Sequence, residues 1–169
     1  MRLALLLAVV LLSACRIERN PPRLAQTAAE IARESINRAR AQFATAMIKH
    51  DAGAVAALFT PGGVLARPLA PDATSPGEIQ RRLDTFFRDT TVTWLTFSAE
   101  RVDLISGGAA FETGAFEETV TTPEHVERTT AGRYAVRWVR TEAVYRIERL
   151  LFVPQSVTLD TVPQPDSGG

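Results

Sequence analysis

Cysteine is nearly absent. Cys15 is the only one in 169 residues, so no intramolecular disulfide can form and no cysteine-built metal site is available. Lysine is as scarce: Lys49 stands alone, which leaves a single candidate for any lysine nucleophile. The two histidines, His50 and His125, fall into no metal-ligand spacing with the acids beside them. Neither charge sign dominates, with 19 basic and 19 acidic side chains, so bulk charge gives no case for nucleic acid or an anionic membrane surface. There is no glycine-rich phosphate loop, no G-x-S-x-G elbow and no internal repeat. The longest apolar run, Leu3 to Leu12, is too short to span a bilayer comfortably. What remains is ordinary for one domain with a real core: 46% hydrophobic and 22% charged residues.

The short apolar run has its own logic. Arg2 supplies a positive start, Leu3–Leu12 an apolar stretch, and Leu12-Ser13-Ala14-Cys15 follows. This resembles the lipobox of bacterial lipoproteins. The resemblance implies cleavage before Cys15, acylation of its thiol, and Cys15 as the new N-terminus. A lone thiol at this place is what lipidation would leave; a secretory signal with a chance cysteine is the plainer alternative. Arg16, rather than Asp, follows the cysteine, which leans toward the periplasmic face of the outer membrane. Residues 1–14 are therefore read as a lipoprotein signal peptide and 15–25 as the lipidated Cys and a polar, Pro-bearing tether. Residues 26–159 are read as the domain and 160–169 as a disordered tail.

Within the domain, Thr27-Ala28-Ala29-Glu30 is a capping box, predicting a helix to about Lys49. Its apolar stripe is Ala28, Ala32, Ile36, Ala39, Phe43 and Met47, with small residues that let a sheet approach. Asp51 caps a second, short helix with Val55, Leu58 and Phe59 on one face; Thr60-Pro61-Gly62-Gly63 stops it, and a first strand follows. Ser75-Pro76-Gly77-Glu78 is a second capping box, opening a helix to about Asp89. From Thr91 the period becomes two. The apolar parity slips between Ala99 and Val102, predicting a β-bulge near Glu100. Gly107-Gly108 marks a hairpin, Ala109–Thr121 a strand with a kink at Gly114, and Thr122–Thr130 a polar loop. Gly132–Thr141 and Val144–Val153 are the last strands.

This order resembles the nuclear transport factor 2-like superfamily, in its SnoaL-like and ketosteroid-isomerase-like branches, and still more a branch known only as a domain of unknown function. The stretches that carry the resemblance are AQFATAMIKHDAGAVAALFTPGGVLARP, SPGEIQRRLDTFF and GRYAVRWVRTEAVYRIERL. It implies an α+β fold with three helices. A cone-like curved antiparallel sheet wraps the long N-terminal helix and leaves a pocket at its open end. It also implies chemistry that the sequence departs from. Arg67, before Pro68, stands where the steroid-isomerase branch has its general base, and a guanidinium stays protonated at neutral pH. Phe43 stands where that branch has a tyrosine donor, and Gly62 where many relatives carry an acid.

These departures favour a non-catalytic domain that binds a small apolar ligand or a protein partner. The candidate pocket residues are Phe43, Met47, Phe59, Phe87, Trp94, Phe97, Glu112, Trp138 and Tyr145, each of which could equally be core. No catalytic residue, metal or cofactor is assigned. The alternative is a SnoaL-like acid/base enzyme of isomerase, cyclase or hydrolase type on a carbonyl substrate. It would have to use Glu112, Glu117 or His125. Successive residues of a strand face opposite sides, so one of Glu117 and Glu118 can point inward, although pairing with Arg133, Arg137 or Arg146 on a solvent face is the favoured reading. Partners are then the membrane, through the lipid, and a small apolar ligand; a homodimer through the outer sheet face is a further option. If the lipobox is used, Cys15→Ser abolishes incorporation of labelled palmitate into the chain in cells. Label persisting in the variant ends the lipoprotein reading.

Overall fold

The computed structural model describes residues 26–68 and 70–161. The expected signal peptide, Cys15, the expected tether and most of the expected tail lie outside the described residues. The elements are α1 (Ala28–Ile48), α2 (Ala52–Ala56), β1 (Phe59–Ala66), α3 (Pro76–Asp89), β2 (Thr91–Ile105), β3 (Ala109–Thr121), β4 (Val126–Thr141) and β5 (Val144–Thr161). They form one curled five-stranded sheet in the order β1-β5-β4-β3-β2. β2 to β5 pair antiparallel, whereas β1 pairs parallel to β5. The sheet is thus mixed, because the chain crosses from β1 through α3 to the far edge and comes back to β1 only with its last strand.

The helix starts are those the side chains dictate. Thr27 Oγ1 accepts from the Glu30 amide at 3.2 Å, and the Glu30 carboxylate accepts from the Thr27 amide at 2.7 Å. Asp51 accepts from the Ala54 amide at 2.8 Å. Ser75 accepts from the Glu78 amide, but the Glu78 carboxylate turns back to the Thr74 amide and hydroxyl, not to Ser75. Ile36, Ala39, Phe43, Ala46 and Met47 bury one face of α1 against the sheet; Ala28, at the head of the expected stripe, is exposed. No described helix is long and apolar enough to cross a membrane.

His50 ends α1 in a left-handed conformation, φ 55°. Its Nε2 accepts from the Val92 amide at 3.1 Å, and its ring lies 5.1 Å from that of Phe87. His50 therefore ties the α1–α2 corner to the start of β2. The other expected corner differs. α2 ends at Ala56, and Phe59 already pairs with Ile147, so Thr60–Gly63 are a bulge inside β1 rather than a turn.

The sheet curls where its register slips. The shift between Ala99 and Arg101 is the bulge expected near Glu100; others fall at Val92/Trp94, Ala131/Gly132 and Arg137/Trp138. Gly107 and Gly108 turn the β2–β3 hairpin with φ of 83° and 80°. The polar loop expected over Thr122–Thr130 is shorter: β4 begins at Val126, because backbone pairing with β3 and β5 continues past the point where apolar alternation stops. For the same reason β5 runs to Thr161, past Val153 and into the first residues of the expected tail.

Gly114 sits where three strands crowd. A Cβ there would lie 2.2 Å from Ser98 O on β2 and 2.7 Å from the ring of Tyr134, its register partner on β4. Backbone cannot yield as a side-chain tip does, so we expect Gly114→Ala to lower unfolding free energy by about 1–3 kcal/mol in urea melts. An unchanged midpoint would mean the curl does not depend on that close approach.

Candidate functional site

A cavity of about 690 Å³ opens at one end of the sheet. Its roof is the β1–α3 connection and α3, with Arg67, Ala73, Arg82, Leu83 and Phe86. Its floor is the concave face of three strands: Phe116 and Glu118 from β3, Arg128 and Thr130 from β4, Phe152, Pro154 and Val157 from β5. Strand alternation puts these residues there. In β3 the inward set is Glu112, Gly114, Phe116 and Glu118, two apart, with Glu117 outward and exposed. The size and the mainly apolar wall are those of a small-molecule site.

The polar feature of that wall is an ion pair. One Arg67 nitrogen donates to both oxygens of Glu118, at 2.7 and 2.9 Å. The guanidinium carbon lies 4.6 Å from the centre of the Phe86 ring and 5.9 Å from that of Phe152. Arg67, which the resemblance set where a base would stand, thus lies near two aromatic rings and pairs with Glu118. Both Glu118 oxygens therefore accept from one cation.

A second carboxylate lies deeper and is sealed. Glu112 has no solvent exposure. Arg40 of α1 donates to its Oε1 at 2.6 Å, the Tyr134 hydroxyl donates to the same oxygen at 2.5 Å, and Trp138 Nε1 donates to Oε2 at 3.0 Å. Gly114 lets the Tyr134 ring lie across β3 to reach it. An acid and donors therefore do meet inside the sheet, but Glu112 is not part of the cavity wall.

The candidate residues divide accordingly. Phe43, Met47 and Phe59 are buried core. Phe43 sits among the rings of Phe59, Phe97 and Phe152, which shows why a hydroxyl is not missed there. Phe97 is half-buried in the same cluster, and Phe87 packs on His50. Glu112 and Trp138 belong to the sealed node, and Tyr145 lines a separate groove beside the first turn of α1. Trp94 is 54% exposed, because the register slip after Val92 turns it outward. None of these residues lines the cavity. The expected partners of the glutamates also differ: Arg133 pairs with Glu100, Arg137 with Glu148, and Arg146 donates to the Ala57 carbonyl. His125 is exposed in the β3–β4 turn.

Phe116 and Glu118 could have been found by counting in twos from Glu112. Arg128 and Thr130 were hidden by a polar stretch that reads as loop. Among the described residues no group of His, Asp and Glu comes together that could hold a metal ion.

The sequence profile described as a SnoaL-like domain matches residues 30–150. Solved structures share the fold at low identity. A ketosteroid isomerase-like protein from Erwinia carotovora atroseptica is 23% identical with a TM-score of 0.66, over 73% of this chain and 95% of its own. A conserved protein from Planctomyces limnophilus is 16% identical with a TM-score of 0.64, over 73% and 97%. A hexachlorocyclohexane dehydrochlorinase is 13% identical with a TM-score of 0.68, over 79% and 94%. No curated protein matches this chain.

The sealed node carries a pH signature. Burial first, then the hydrogen bond to Glu112 and its charge, raise the Tyr134 phenol above the ordinary tyrosine value near 10. The folded chain thus keeps a proton that the unfolded chain loses. The resulting stability is complete below about pH 10 and is lost as pH climbs beyond it. Urea midpoints should therefore fall more steeply above pH ~10 in the native chain than in Tyr134→Phe. Parallel slopes would separate the phenol from the effect.

Proposed function

We propose, from the premise that this chain belongs to the SnoaL-like domain family, that it is a non-catalytic binding protein holding a small apolar ligand in the cavity beneath α3. The observation that carries this reading is the wall itself. Leu65, Leu83, Phe86, Phe116 and Phe152 supply an apolar enclosure, and its one carboxylate is bound to Arg67. The positions that the steroid-isomerase resemblance marks for a base and for a hydroxyl donor hold Arg67, which stays protonated, and Phe43, which has no hydroxyl. Binding needs nothing the site lacks, whereas turnover would need Glu118 to act as a base while paired with Arg67.

The lipobox-like Leu12–Cys15 supports a lipid anchor, with the domain on a tether at the periplasmic face of the outer membrane. A second copy of the chain is a further partner compatible with the exposed Phe111, Leu151 and Val153. The competing reading is acid/base chemistry on a carbonyl substrate. One observation favours it: Glu118 does stand in the cavity wall.

Native mass spectrometry of the full chain released gently from membranes tests the binding reading. We expect a co-purifying small molecule, lost from Thr130→Trp, which places bulk in the cavity from a half-buried strand position. An adduct that persists in this variant, or no adduct at all, overturns it. Glu118→Gln should leave the adduct intact; finding a chemically converted form that disappears with this change would favour the enzyme.

A further inference from the structure

The cavity wall holds three guanidinium groups and one carboxylate. Two of the three are engaged. Arg67 binds Glu118, and Arg82 binds Glu78 and the Pro71 carbonyl. Arg128 is different: among the described residues no carboxylate pairs with it, and its Nε is buried without a hydrogen-bond partner. A buried donor on a charged group is costly to leave unmatched, and such groups are rare enough in folded chains to call for an explanation.

The residue also stands in the cavity wall. Arg128 stands on β4 between Val120 of β3 and Leu159 of β5, two residues from Thr130, which lines the same cavity. The rings of Phe116 and Phe152 lie farther along the same concave floor. The wall thus offers an apolar bed with one uncompensated positive charge. A neutral ligand would leave that charge unanswered, and a dianion would carry one charge too many.

Resting on the binding reading above, we propose that the cavity's ligand is an apolar molecule with a single carboxylate, and that Arg128 receives the carboxylate. The planar guanidinium matches a carboxylate's two oxygens, and the bond is charge-assisted.

Titration calorimetry on the full chain with 2-naphthoate and its uncharged counterpart 2-naphthamide tests this. We expect the native chain to bind the naphthoate at least about tenfold more tightly than the amide. In Arg128→Gln the preference should vanish, with amide affinity held within about twofold, as expected when only a charge-assisted bond is lost. Equal affinities in the native chain overturn the carboxylate assignment while leaving the pocket standing, and that comparison needs no variant to fold. A preference that survives Arg128→Gln overturns the role of Arg128. Binding of neither compound overturns the pocket reading and this inference with it.

Discussion

The three donors on Glu112 fix the long helix to the sheet. Arg40 comes from α1, Tyr134 and Trp138 from β4, and Glu112 itself from β3. An apolar contact would tolerate sliding of α1 along the strands; a carboxylate with no solvent exposure does not, because any slip strands a charge. Loss of one partner from such a buried pair costs on the order of 3–5 kcal/mol, a large share of a small domain's margin. The node is better understood as fixing register than as adding net stability, since buried ion pairs often do little more than offset their own desolvation.

Everything nearer the mouth follows from that fixed end. With α1 held, Phe43 meets Phe59, Phe97 and Phe152, and this aromatic layer closes the interior between the sealed carboxylate and the cavity. The layer separates two acids of the same strand, six residues apart. Glu112 is surrounded by donors and inaccessible; Glu118 faces the cavity and is held by Arg67. Strand periodicity alone makes both point inward, and their different fates come from which helix or loop covers each.

Much of this was legible in the residues. The caps at Thr27, Asp51 and Ser75 are local chemistry, as are the Gly107-Gly108 turn and the slip near Glu100, and local chemistry reads directly. The lining of the cavity was not legible, for two physical reasons. Large side chains such as Met47 and Trp138 are equally suited to core and to pocket, and packing alone decides between them. Arg128 and Thr130 carry polar side chains on paired backbone, and pairing across strands leaves no trace in the sequence of one of them. The parallel pairing of β1 is hidden for the same reason.

β5 changes character along its length. Up to Leu151 it is interior, flanked by β1 and β4; beyond that point, among the described strands, it is joined to β4 alone. Pro154 and Val157, two residues of the cavity wall, belong to that half-supported stretch. A strand secured on one side opens at lower free energy than one secured on both. The end of the sheet that carries the cavity is thus secured on fewer sides than the end that holds Glu112.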